Sequence, residues 1–264
     1  MSIAFLNDNF LPLEQAKISP LDRGFLFGDG IYEVVPSYAG KLLGFNAHLD
    51  RMRTGLEGIN LQLGWSHEKW KSVCDELCNQ NGNGNLGLYL QVSRGADIKR
   101  YHAFPENVKP TVFCFAFEIG ASPSSDKDSA KTFSVSTAED LRWQRCHIKS
   151  TALLGNVLHF QYGHENGDDE TILYNDRHEL TEAAACNVFI VKNRVISTPP
   201  LDNQLLPGIT RNLLIDILQK HSNLDIQERV VHMNEVNNAD EIWITSSTKE
   251  IGPVIKIDGR PVGN

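Results

Sequence analysis

The sequence predicts a mixed α/β chain in two domains, α+β in the order of its elements, and three observations lead there. The chain has 264 residues, long enough for two hydrophobic cores. Runs of period-two alternation and runs of helical periodicity interleave without the regular βα repeat of a doubly wound sheet. A small, polar, proline-punctuated stretch from Gly120 to Ser129 parts the chain into halves of similar length. The expected domains are residues 1–119 and 130–264, with a linker at 120–129.

In chain order, Ile3–Leu6 is an apolar run closed by Asn7-Asp8 and reads as a strand, as does the aromatic and β-branched run Gly30–Tyr38. Helical periodicity follows in Asn46–Gly58 and again in His67–Cys78. Strand-like alternation returns in Leu86–Ser93 and Thr111–Phe117. Beyond the linker, Thr132–Thr137, Glu170–Tyr174, Asn187–Val191 and Glu241–Thr245 read as strands. Leu153–Asn166 and Thr210–Lys220 read as helices. The string Gly82-Asn83-Gly84-Asn85-Leu86-Gly87 matches the dinucleotide-binding pattern, but it follows a helix and precedes a strand. That order is the reverse of the one that aims helix amides at a pyrophosphate, so it is a turn.

Composition excludes several functions. A net charge of −8 removes the electrostatic case for nucleic acid or an anionic membrane. The N-terminal run meets Asp8 too early for a signal peptide, and no apolar run is long enough to span a bilayer. Five cysteines, an odd number, point to free thiols and a reducing cytoplasm. Cys74 and Cys78 lack a second pair to complete a zinc site, and His159 and His164 are off-phase for a helical metal pair. No metal site is expected.

Four stretches carry chemistry. In Arg142 through Thr151, Lys149 stands where a strand-like run ends and a helix is expected to begin. Positive backbone potential there favours the neutral amine, a nucleophile toward aldehydes. The alternative is a solvated surface lysine. Leu205 through Ile215 holds a Gly208-Ile209-Thr210 turn opening an apolar helix, so free amides and a hydroxyl converge into an anion site; alternatively Thr210 caps its helix. Glu182 precedes Ala183-Ala184-Ala185 and a buried strand. It is either a surface-loop acid or a desolvated one that pairs with a heterocyclic nitrogen. Arg51 follows Phe25 through Val34 and His48; it could grip a phosphate or pair with Asp50 or Glu57. Arg100-Tyr101-His102 lies in a long loop, where two cationic donors could hold a carboxylate or simply be solvated surface charge.

Together these stretches resemble the class IV (fold-type IV) pyridoxal-phosphate aminotransferases, most of all the bacterial D-amino-acid branch. The resemblance runs from about Phe5 to Gly259. It is most specific in Asp22-Arg23-Gly24-Phe25 through Val35, in Phe104-Pro105-Glu106-Asn107, in Cys146 through Val157, in Gly208 through Arg211 and in Thr245-Ser246-Ser247. It implies a two-domain fold with the cofactor, pyridoxal 5'-phosphate, at the domain interface and its lysine in the C-terminal domain. Lys149 matches the catalytic, Schiff-base lysine and Glu182 the ring-nitrogen partner. Arg51, the amides of Ile209 and Thr210, and Ser247 match phosphate-binding positions, and Leu206 matches the aliphatic residue packed on the ring. Tyr32, Arg100 and His102 match the substrate-carboxylate trap, with Arg100 and His102 entering from the neighbouring subunit of a homodimer.

The implied activity is amino transfer between a D-amino acid, such as D-alanine or D-glutamate, and a 2-oxo acid in the cytoplasm. Three features depart from the family pattern. Ala183-Ala184-Ala185 supplies no side-chain donor where small hydroxyl residues are usual. Pro36 stands where lysine is common in the D-specific relatives. The family usually continues past Ile257-Asp258-Gly259 into a glycine-rich loop and helix, whereas this sequence ends at Asn264. Alternatives within the fold are an (R)-amine transaminase, an aminodeoxychorismate lyase and a branched-chain L-amino-acid aminotransferase. Outside it, the alternative is a non-catalytic metabolite-binding protein.

Overall fold

The computed structural model describes residues 2–123, 126 and 129–263, and the chain clusters into two compact units. Residues 124, 125, 127 and 128 of the expected linker lie outside the described residues. The first unit comprises Met1–Ala121 together with Ile148–Leu153, and the second comprises Ser122–His147 and Leu154–Asn264.

In the first unit the elements are β1 Ile3–Leu6, β2 Asn9–Pro12, α1 Arg23–Phe27, β3 Gly30–Tyr38, β4 Lys41–Leu42, α2 Phe45–Gly58, α3 His67–Gln80, β5 Asn85–Ser93 and β6 Thr111–Glu118. Among the described residues these strands form a six-stranded sheet, β2-β1-β6-β5-β3-β4, with every pair antiparallel. One face is the core. Ile31 and Val35 of β3, Leu88 and Leu90 of β5 and Cys114 of β6 pack with Leu49 and Met52 of α2. Period-two alternation puts Tyr32 and Tyr89 on the opposite face, where their rings stack at 5.5 Å. Helix α2 buries His48, Leu49, Met52, Gly55 and Leu56, a stripe at helical spacing.

The second unit holds β7 Phe133–Glu139, α4 Leu154–Glu165, β8 Glu170–Tyr174, β9 Leu180–Ala183, β10 Asn187–Lys192, β11 Val195–Thr198, α5 Ile209–His221, β12 Asp225–Glu228, α6 Met233–Asn237, β13 Glu241–Ser246, β14 Glu250–Ile257 and β15 Arg260–Pro261. Its described strands make a mixed sheet, β12-β11-β10-β13-β14-β7-β8-β9, with β15 on β14. Three pairs are parallel: β11 with β12, β14 with β7, and β7 with β8. Strand β10 reads as a continuous apolar run because both faces are buried. Val188 and Ile190 enter one core, and Phe189 and Val191 enter another with Leu214 and Ile215 of α5.

Mixed α/β architecture is therefore what the chain adopts. The expected long strands and helices form with ends that coincide or shift by at most two residues. Short edge elements such as β4, β12 and β15 carry no sequence pattern, because two to four residues are too few to show a period. The lysine differs from expectation. Lys149 was expected in the C-terminal domain, at the end of a strand and immediately before a helix. Instead it belongs to the first unit, in an extended segment after a turn, and α4 starts only at Leu154. The reason is backbone pairing: Tyr32 N donates to Lys149 O at 3.0 Å, Ile31 bridges Ser150, and Ile148 enters the first unit's core. Gly28 permits this approach. It ends α1 at a φ of 65°, and a Cβ there would meet Ala152 Cα at 2.8 Å.

Among the described residues no helix is long and apolar enough to cross a membrane. No group of three His, Cys, Asp or Glu among them is placed to hold a metal ion. All five cysteines are free and buried.

Candidate active site

In the first unit Lys149 is half-buried, and its Nζ donates to Tyr32 Oη at 3.3 Å while lying 4.4 Å from the ring centroid. The tether is the strand-like pairing of residues 149–151 with β3, which brings together side chains 117 positions apart. One residue along β3, Glu33 points to the core face and is fully buried. There it accepts from Arg51 Nε and Nη2 at 2.7 and 2.8 Å, and it lies 2.7 Å from His48 Nδ1. Burial alone pushes the Glu33 carboxyl up. The Arg51 charge and hydrogen bonds, with those of His48, outweigh burial and hold it down to about 2. His48 is lowered by burial, against the pull of Glu33.

Arg51 thus pairs with Glu33, whereas Asp50 pairs with Arg53 at 3.1 Å. Neither Glu33 nor His48 stood out in the sequence. An acid at an inward position of an apolar strand, between Ile31 and Val35, was the signal available.

Arg100 and His102 are exposed and gather on Phe27, the guanidinium carbon 5.2 Å and the imidazole centroid 5.3 Å from its ring centroid. Among the described residues no hydrogen bond, ion pair or ring contact links either to Tyr32 or Lys149.

In the second unit Glu182 lies within β9, not in a surface loop, and is 5% exposed. Its Oε1 accepts from Arg142 Nη1 at 2.6 Å, and its Oε2 accepts from Leu206 N at 3.1 Å and Asn187 Nδ2 at 3.4 Å. Arg142 also gives Nε and Nη2 to Asp140 at 2.9 and 2.7 Å. One guanidinium therefore serves two carboxylates. Burial pushes Glu182 up to about 7, although Arg142 and the Leu206 amide pull the other way and Asp140 adds a like charge. Asp140 itself is lowered, its burial outweighed by the double bond to Arg142. Arg142 and Asp140 were not singled out in the sequence, since only the folded chain shows that they serve Glu182.

Leu206 is tied through both of its backbone polar groups, its N–H to Glu182 and its carbonyl to Asn187 Nδ2 at 2.8 Å. Gly208 is the N-cap of α5 with no side-chain cap, so Thr210 does not cap the helix. Ile209 and Thr210 occupy the first helical positions, whose amides have no acceptor inside the helix. A Cβ at Gly208 would collide with Asn187 Oδ1, so the close backbone approach requires glycine. Asn187 pairs across the sheet with Thr245, whose Oγ1 is buried without a hydrogen-bond partner. Ser247 follows in the turn between β13 and β14.

These arrangements fit pyridoxal phosphate. Two carboxylates on one arginine leave an uncompensated negative charge suited to a protonated ring nitrogen. Free amides at the start of α5 suit a phosphate.

The chain from residue 30 to 257 matches the family described as amino-transferase class IV. It is 37% identical to the D-alanine aminotransferase of Staphylococcus haemolyticus, over 100% of this chain and 92% of that protein. Against the D-alanine aminotransferase of Listeria innocua the identity is 36%, over 98% and 89%. Its fold matches the branched-chain aminotransferase of Thermoproteus uzoniensis with a TM-score of 0.87 at 23% identity, covering 99% of this chain and 89% of that one. A family match over most of its length, and relatives aligned nearly end to end, coincide with the lysine, glutamate and helix-terminus features already described: the chain belongs to the class IV aminotransferases.

Proposed function

We propose that this protein is a pyridoxal-phosphate aminotransferase that moves an amino group between D-amino acids, such as D-alanine, and 2-oxo acids. The observation that carries the reading is the Glu182 cluster, a buried carboxylate whose guanidinium partner among the described residues is shared with Asp140. Full-length similarity to proteins named D-alanine aminotransferase supports the D-preference.

When bound, pyridoxal phosphate supplies an aldehyde that condenses with amines and a ring that takes up an electron pair from the α-carbon. The Ile209 and Thr210 amides, Ser247 and Arg51 would hold the phosphate. Leu206 would pack on the ring, and Glu182 would face its nitrogen. Lys149 is the amine that bonds the aldehyde. Once displaced by substrate, its Nζ would take the α-proton and deliver it to the cofactor's carbon rather than back to the α-carbon, as amino transfer requires. Tyr32 Oη, within hydrogen-bond reach of that nitrogen, orients it and offers a donor to the substrate carboxylate. Glu33 holds the Arg51 fork in place from the core side. Arg100 and His102 of the partner subunit would complete the carboxylate trap in a homodimer. Exposed apolar residues along α4, among them Leu154, Val157, Leu158 and Phe160, support such an interface. Free buried thiols fit a reducing cytoplasm.

Purified protein supplied with pyridoxal phosphate, D-alanine and 2-oxoglutarate should release pyruvate, and Lys149→Ala should abolish turnover while keeping the fold. Borohydride reduction should leave the cofactor's mass on the Lys149 peptide. Turnover confined to L-amino acids would overturn the D-preference; persistent turnover in Lys149→Ala would overturn the mechanism.

A further inference from the structure

We propose that Arg23 is a positioning residue for the substrate-carboxylate trap, holding the backbone of the loop that carries Arg100 and His102. The proposal rests on the reading of those two residues as the trap.

Residues 97–110 form no strand or helix, and the loop is open to solvent at Ile98 and Tyr101. Its backbone is gathered by one buried side chain. Arg23, 3% exposed, donates from Nη1 to the carbonyls of Tyr101 and Ala103 at 2.5 and 3.3 Å, and from Nη2 to that of His102 at 3.1 Å. Carbonyls of successive residues point in alternating directions in extended chain. Three converging on one cation oblige the chain to curl round it, and this sets where the flanking side chains leave the backbone.

The guanidinium is itself immobilised. Its Nε donates to Asp29 Oδ2 at 2.7 Å. Asp29 is gripped from the other side by Arg94, through Nε at 2.8 Å and Nη2 at 3.0 Å. Arg94 is anchored in turn to the carbonyls of Ile59 and Asn60, and its guanidinium carbon lies 3.6 Å from the ring centroid of Phe104, in the middle of the loop. Phe27 completes the seat. Arg23 lies 4.8 Å from its ring centroid, and Arg100 and His102 gather on the same ring. Every member belongs to the first unit. Lysine cannot replace Arg23, because only a planar fork donates to Asp29 and to three carbonyls at once.

The test uses holoenzyme variants Arg23→Lys, Phe27→Leu and Arg100→Ala, assayed over a range of D-alanine at saturating 2-oxoglutarate. Tryptic cleavage after Lys99 and Arg100 is followed alongside. Displacing the trap weakens the grip on the carboxylate, so KM for D-alanine should rise about tenfold in Arg23→Lys and Phe27→Leu. Bound cofactor absorbance should be unchanged, kcat should fall far less than KM rises, and tryptic cleavage should accelerate. A merely structural role would lower kcat and cofactor content together and leave KM in place. Phe27→Leu keeps the ion cluster intact and decides the matter should Arg23→Lys fail to fold. Unchanged KM in both variants, with KM raised in Arg100→Ala, would overturn the positioning role alone. Unchanged KM in Arg100→Ala would overturn the trap reading and the positioning role with it.

Discussion

Two buried carboxylates in this protein each contact an arginine at 2.6–2.8 Å, yet one is held down to about 2 and the other is pushed up to about 7. Burial acts on Glu33 and Glu182 in the same direction, so desolvation does not separate them. What differs is how much cation each receives. Glu33 takes two bonds from Arg51 and a third contact from His48. Glu182 takes one bond from Arg142, which spends two others on Asp140. The Glu33 cluster is electrically complete. The Glu182 cluster is one positive charge short, which is the condition for binding a cationic heterocycle.

The largest expected effect follows from that shortfall. Glu182→Gln should lower kcat by about 10²-fold or more, since a neutral amide no longer holds the charged ring. In the apoprotein the same change should flatten the pH dependence of stability. A carboxyl whose folded pKa is raised imposes a penalty as pH climbs from the unfolded value, 4.5, through about 7. Urea midpoints of the apoprotein should therefore fall between pH 5 and pH 8 in the native chain and hold steadier in Glu182→Gln. Equal slopes in both would break the comparison.

Glu33→Gln should cost about 3 kcal/mol at pH 7, because it removes the buried carboxylate that Arg51 and His48 both contact. The sign with pH is opposite here. A depressed carboxyl contributes stability that is present above 4.5 and lost as pH falls through about 2. Urea unfolding at pH 7 and pH 3 should thus show a smaller difference between variant and native chain at the lower pH. A difference as large at pH 3 as at pH 7 would mean that packing, not charge, accounts for the site.

Lys71→Ala is the smallest expected change. Its 2.6 Å bond to Asp75 is exposed, and its loss should move stability by no more than about 0.5 kcal/mol. A cost approaching that of Glu33→Gln would deny that burial and charge count set the scale.

Much of the architecture was legible because periodicity is local. Strands such as Gly30–Tyr38 and helices such as His67–Gln80 declare themselves within ten residues. Glu182 and Thr210 were legible as candidates, although their settings were ambiguous: a loop acid or a buried one, a cap or an anion site. The fold resolves both, through β9 and through the glycine N-cap of α5. Illegible were the partners. Glu33 reaches Arg51 across 18 positions, Arg142 reaches Glu182 across 40, and Arg23 reaches His102 across 79. Nothing in the spacing of such residues marks them as neighbours.

The sequence by itself determined the mixed α/β alternation, the lysine and acid that name the chemistry, and the family likeness that joins them. Tertiary structure alone decided that Lys149 joins the first unit by pairing with β3, that Arg51 rests on Glu33, and that Arg142 is divided between two acids. Residue type and local period are properties of a short stretch of chain. The charge a buried carboxylate receives depends on which distant segments the fold brings against it.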